Sequence, residues 1–178
     1  MKPSSILSIL LFFTILAFAS CELTDKPEDI AFDVIVPLSF SINDQTSNAT
    51  GKSYSEVETL DTTTNPDVAL FSTKIKEYII NKITYTISGA SPTSESFANG
   101  VLKISATDNS IASAGTISLN NTAETNLTLN SAGVSELATK LLDDKQEIIL
   151  LQGTHSKTPI TFKITFKFYL TLKADASK

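Results

Sequence analysis

Residues 158–173 read TPITFKITFKFYLTLK. Ile160, Phe162, Ile164, Phe166, Phe168, Leu170 and Leu172 hold the even positions; Thr161, Lys163, Thr165, Lys167, Tyr169, Thr171 and Lys173 hold the odd ones. Successive side chains of a strand point to opposite faces, so this alternation predicts a long strand with one buried and one wet face. One-sided burial belongs to antiparallel sheets, whereas strands of doubly covered parallel sheets read as continuous apolar runs.

The same logic extends outward. In FDVIVPLSFSI, Phe32, Val34, Val36, Leu38, Phe40 and Ile42 share a face. Pro37 falls on the other face and removes a ladder donor, which marks this strand as an edge or a bulge. NKITYTISG places Ile83, Tyr85 and Ile87 together before Gly89 and Pro92. GVLKISATD, GTISLNN and TNLTLN each offer a short alternating run, and EIILLQG (147–153) reads as a central strand. Two helices interrupt the strands. Asn65 followed by Pro66 is a start signal, and Val68, Phe71, Ile75 and Ile79 then fall on one helical face. A second helix lies in SAGVSELATKLLDDK, with Ser135 as cap and Val134, Leu137, Leu141 and Leu142 inward. Residues 43–66, rich in Thr, Ser, Asn and Asp, read as a long exposed loop. The expected architecture is mostly β: an antiparallel two-sheet β-sandwich, immunoglobulin-like or jelly-roll-like, with two short helices, formed by residues 30–178.

Composition narrows the function. The 178 residues carry a net charge of −5 and no tryptophan, and all 14 basic residues are lysine. Arginine is the preferred fork for phosphate and guanine, so an acidic, arginine-free chain is a poor partner for nucleic acid. The single His155 lies in QGTHSKTP and reads as a solvated turn residue. No G-x-S-x-G elbow, Gly-rich phosphate loop or His/Cys metal cluster accompanies it, so neither catalysis nor a cofactor or metal is expected. Asp44 with Asn43 and Asn48, Asp108 with Asn109, and Asp143 with Asp144 and Glu147 offer oxygen ligands. None has EF-hand spacing, and Asn and Asp in such places form turns.

The N-terminus addresses location. Lys2 precedes an apolar run from Ile6 to Ala19, too short for a membrane span but suited to a secretory signal over residues 1–20. Two endings compete. Ala17-Phe18-Ala19 satisfies the small-x-small rule and would leave Ser20 first. Phe18-Ala19-Ser20-Cys21 resembles the lipobox of bacterial lipoproteins, with Phe18 where that family usually carries an aliphatic residue. The resemblance implies that Cys21, the only cysteine, becomes the first mature residue and carries acyl chains, palmitate among them. Two or more chains anchor stably where one is marginal. ELTDKPED after it is charged and lacks an apolar period, so residues 21–29 read as an extended tether. Glu22 stands where, in that family, an Asp signals inner-membrane retention, which implies the outer membrane, with the domain periplasmic or surface-facing. Asp61-Thr62-Thr63 resembles the O-glycosylation motif of the Bacteroides–Flavobacterium group.

These readings converge on a lipid-anchored, non-catalytic envelope protein that binds a protein or glycan. Lys163, Lys167, Tyr169 and Lys173, on the wet face of the last strand, form the candidate interaction surface. The bland alternative is that these lysines keep a long strand soluble and block edge pairing. A second class is a pilin-like assembly subunit that donates the last strand to a neighbour. A third, a small hydrolase, has no motif in its favour.

Overall fold

The computed structural model describes residues 29–48 and 51–176. The expected signal sequence, Cys21 and the expected tether up to residue 28 lie outside the described residues. Nine strands follow in chain order: β1 (Ile30–Asn48), β2 (Lys52–Asp61), β3 (Ile75–Ser91), β4 (Ser96–Ile104), β5 (Ser110–Ser118), β6 (Thr125–Asn126), β7 (Thr128–Leu129), β8 (Gln146–His155) and β9 (Thr158–Ala174). A 3-10 turn (Thr62–Thr64) and helix α1 (Pro66–Phe71) separate β2 from β3; helix α2 (Ser131–Asp144) precedes β8.

The strands form two sheets, ordered β1-β9-β3-β6 and β2-β8-β4-β5-β7. The antiparallel partners are nested: β1 with β9, β2 with β8, β3 with β6 and β4 with β5. A long hairpin rolled up so that alternate pairs fall into opposite sheets gives this order. It is the connectivity of a jelly roll, and it selects that form of the expected sandwich over the immunoglobulin-like one.

The alternation in 158–173 is realised over the whole of β9, which is buried at every second residue from Thr158 to Ala174. Its apolar face meets that of the other sheet. Phe162 lies 6.0 Å from Phe97 of β4, ring centre to ring centre, while within its own sheet Phe166 meets Phe40 of β1 edge-on at 5.9 Å. β1 is an edge strand, as Pro37 indicated, and β8 is interior to its sheet. Glycine is demanded where the Phe97 ring of β4 lies over the neighbouring strand β8 of its own sheet: a Cβ on Gly153 would stand 2.2 Å from that ring.

Four expectations are corrected. First, β9 lies between β1 and β3, so its lysines do not guard an edge and residues 158–173 have no free edge to donate to a neighbour. Of the true edges, β2 carries the exposed Glu56 and Glu58, and charges on an edge strand discourage strand addition. Second, residues 43–66 are not one loop. Asn43–Asn48 extend β1, and Lys52–Asp61 are β2, laddered to β8 from Lys52–His155 through Asp61–Gln146. Only Leu60 of β2 is buried, so an edge strand wet on both faces left no apolar alternation to read. Third, the helix after Asn65 stops at Phe71. Asn65 does cap it, accepting from the amides of Asp67 and Val68. Ile75 and Ile79, however, belong to β3, where pairing with β9 overrides the coincidental helical spacing. Fourth, α2 is capped by Asn130, not Ser135; the Asn130 side chain accepts from Ala132 and Gly133, while Leu137 and Leu141 are buried and Val134 and Leu142 pack against the core from partly exposed positions. Thr62 is also fully buried and donates to the Lys145 carbonyl at 2.7 Å, so the Asp61-Thr62-Thr63 motif offers no accessible hydroxyl at its centre.

The chain enters at one end of the sandwich. Asp29 pairs with Lys76 at 2.7 Å, and Lys76 also reaches Asp175 near the C-terminus at 3.3 Å. α1 packs here through Phe71, whose ring lies 5.3 Å from Phe32. Among the described residues no helix is long and apolar enough to cross a membrane.

Candidate functional site

The outer face of the β1-β9-β3 sheet carries the candidate surface, and cross-strand rows organise it. One row runs Ile35–Tyr169–Lys82 and the next Asp33–Thr171–Ile79. Between them β3 has one residue more than β9: Ile80 pairs with Leu170 and Lys82 with Tyr169, leaving Asn81 as the extra residue of a bulge. A bulge breaks the strict inside–outside alternation. Asn81 and Lys82 are therefore both exposed on this face despite being adjacent in sequence.

Each side chain is held. Asn81 Nδ2 donates to Thr171 Oγ1 at 2.8 Å, and Thr171 Oγ1 donates to Asp33. Lys82 Nζ lies 4.0 Å from the centre of the Tyr169 ring, a cation–π contact. Glu124, from the loop before β6, accepts from the Tyr169 hydroxyl at 2.5 Å, Thr84 Oγ1 at 2.8 Å and Lys167 Nζ at 2.8 Å. The Lys167 ammonium, then the two hydroxyls, hold the Glu124 carboxyl down at about 2. Glu124 in turn raises the Lys167 and Tyr169 values. Tyr169 is thus fixed at its tip and over its ring. Beside it lies an open groove of about 580 Å³, lined by Asp33, Ile35, Asn65, Asn81, Lys82 and Tyr169. Ile35 is 47% exposed there.

The four residues singled out in sequence share this face but not one cluster. Lys167 and Tyr169 meet at Glu124. Lys173 pairs with Glu77 at 2.7 Å toward the end where the chain enters. Lys163 stands exposed in the other direction, opposite Ser41 and Ser88. Two of the three lysines are neutralised by carboxylates, so the face is not a positive patch. Asp33, Ile35, Asn81, Lys82 and Glu124 escaped the sequence reading. A signal for the bulge exists: buried residues run even at Tyr78 and Ile80, then odd at Ile83, Tyr85 and Ile87.

Neutralising Glu124 tests the lock. Its lowered value means that its contribution is complete above the unfolded value near 4.5 and is lost as pH falls toward 2. Glu124→Gln is expected to flatten the acid dependence of unfolding across that window, read as the denaturation midpoint at stepwise lower pH. An unchanged profile would show that the lock contributes nothing in solution.

His155 is not the solvated residue expected. It is 1% exposed, among Tyr54, Phe97 and Phe162 at ring-centre distances of 5.3, 5.5 and 5.9 Å. Its Nδ1 and the nearby buried Thr158 Oγ1 make no hydrogen bond. Burial pushes the imidazole below its usual value, against a pull from Asp44. A folded value below the unfolded one means that the unfolded chain takes up the proton first. Stability from this site is then complete above about pH 6.5 and declines as pH falls below it. His155→Phe, which keeps a ring in the cluster, is expected to remove the loss between pH 7 and 5; an unchanged slope in urea unfolding would place the titration elsewhere.

The acidic groupings form turns and ion pairs. Asp44 bonds the Thr46 amide and pairs with Lys52 at 2.6 Å, and Asp108 pairs with Lys103 at 2.9 Å. Glu147 pairs with Lys140 at 3.6 Å. Among the described residues no group of three or more His, Cys, Asp or Glu is placed to hold a metal ion.

No protein-family model matches the chain, and no curated protein does. Solved structures similar in fold include the decameric BFDV capsid protein, at 13% identity and a TM-score of 0.47, covering 82% of this chain and 99% of that one. Another is that of Desmodium yellow mottle tymovirus, at 9% identity and a TM-score of 0.39, covering 85% of this chain and 92% of that one.

Proposed function

We propose that this chain is the precursor of a lipid-anchored cell-envelope protein that acts by binding, without catalysis, and presents the outer face of its β1-β9-β3 sheet to a protein or glycan partner. The observation that carries the reading is Cys21, set between an apolar signal run and a charged tether. A free thiol just past a secretion signal is exposed to oxidation and cross-linking, whereas acylation gives it a use. The entry of the chain at Asp29 supports the reading further. The tether joins at one end of the sandwich, beside Lys76 and Asp175, while the groove at Tyr169 opens on the broad face. His155, the chain's single histidine, is enclosed at 1% exposure and cannot meet a substrate as a general base, which supports the non-catalytic reading. By resemblance, Glu22 in place of Asp favours the outer membrane.

Intact-mass measurement of the mature protein from membranes, beside Cys21→Ala, tests the anchor. An acylated chain beginning at Cys21 is expected, with the variant moving wholly to the soluble fraction. A chain beginning at Ser20 with a free thiol would overturn the reading.

A further inference from the structure

We infer that the groove beside Tyr169 is a binding site for a neutral saccharide; this rests on the proposal that the β1-β9-β3 face is the partner-binding face, and names its ligand. Three observations carry it. The first is the pairing of an aromatic ring with polar side chains that are already oriented. Tyr169 is held by Glu124 at its hydroxyl and by Lys82 over its ring, so little motion is lost when a ligand settles against it. Ile35, its cross-strand neighbour, extends the apolar wall. Sugar rings present an apolar C–H side and a rim of hydroxyls, and this wall suits the former.

The second observation is the bulge at Asn81. A regular strand would turn Asn81 and Lys82 to opposite faces; the extra residue brings both to the groove. Asn81 supplies an amide that donates and accepts, Asn65 supplies its Nδ2 donor while its oxygen caps α1, and Asp33 supplies an acceptor. Hydroxyls, which also donate and accept, match that set.

The third is charge. The groove has one carboxylate, Asp33, and one ammonium, Lys82, while Lys167 is neutralised by Glu124. The lining is balanced, which favours an uncharged ligand over a phosphorylated or acidic one. The groove also lies on the face of the sheet, where β9 bonds to β1 and β3 on its two sides. An extended peptide lying along β9 would find that strand's main-chain groups already paired; β1, not β9, is an edge of this sheet. A volume of about 580 Å³ falls inside the range of roughly 300–1,000 Å³ usual for small-ligand sites.

The test uses a printed array of neutral plant, fungal and bacterial glycans, with hits titrated by calorimetry. The wild-type chain from Cys21 onward is compared with Tyr169→Ala, Asn81→Ala and Ile35→Ser, and with Val57→Ala, at an exposed position on β2 of the other sheet, as a variant outside the binding face. Thermal unfolding confirms that each is folded. The expected result is glycan binding weakened at least tenfold by Tyr169→Ala and by Asn81→Ala, and unchanged by Val57→Ala. Asn81→Ala guards against the chance that Tyr169→Ala acts only by freeing Glu124. Binding to no glycan, or equal binding by all variants, overturns the inference. If no glycan binds but an envelope protein is captured in a Tyr169-dependent way, the saccharide falls and the binding face stands. If neither occurs, both fall.

Discussion

Phe166→Ala is expected to cost about 3–5 kcal/mol, the range for removing a buried aromatic side chain and leaving a cavity. Phe166 is 1% exposed and lies at the middle of β9, the strand shared by β1 and β3. Its ring meets Phe40 edge-on within its own sheet and lies beside Leu102, Ala112 and Leu151 of the other sheet. The site cannot collapse, because strands on both sides fix the backbone of β9. Domains of this size have a total stability of about 5–15 kcal/mol, so the loss is a large share of it. It should lower the melting temperature by roughly 6–20 °C, at about 2–4 °C per kcal/mol for a domain of this length. Lys163→Ala, on the wet face of the same strand, should stay within about 0.5 kcal/mol. Urea denaturation of both variants checks this. A cost below about 1 kcal/mol for Phe166→Ala would mean that the two sheets do not meet as described.

Gly133→Ala is the second large effect, and here two forces oppose. Inside a helix, alanine is favoured over glycine by about 0.8–1.0 kcal/mol. In this position, however, an added Cβ would stand 2.0 Å from the Ser110 carbonyl oxygen and 2.7 Å from its carbon. Those atoms are backbone at the start of β5, so no rotamer change relieves the clash. α2 must lift away, disturbing the Asn130 amide bond to the Ile111 carbonyl at 2.8 Å and the contact of Asn109 with Glu136. Overpacking of this kind costs typically 1–3 kcal/mol, so it outweighs the propensity gain and the net effect is destabilising. Gly133→Ala should therefore unfold at lower denaturant than wild type; a stabilised variant would show that α2 does not seat against β5.

The alternation in 158–173 and in 32–42 foretold the two longest strands and their buried faces, because a half-buried antiparallel strand writes its geometry into every second residue. Pro37 foretold an edge, because a residue without an N–H suits a strand with one free side. The face of Lys167 and Tyr169 was legible for the same reason as β9. Its groove was not. Asp33 and Ile35 join Tyr169 through the β1–β9 register, Asn81 and Lys82 through a bulge in β3, and Glu124 through a loop lying far away in sequence.

Sequence by itself determined the class of the fold, the direction in which its main strands face, and the order of an apolar run, Cys21 and a charged segment on which the proposed anchor rests. These are local properties, set by side-chain period, by single residues such as proline, and by the order of charge and apolarity along the chain. Tertiary structure alone decided the rest. It turned residues 52–61 into an edge strand whose support is the backbone ladder to β8, which no side chain announces. It made 75–79 strand rather than helix, because β9 offered hydrogen bonds and a buried face that outweighed a helical spacing. It also enclosed His155 among three rings drawn from β2, β4 and β9. Burial is a sum over neighbours distant in the chain, and only the folded arrangement of the two sheets says which neighbours those are.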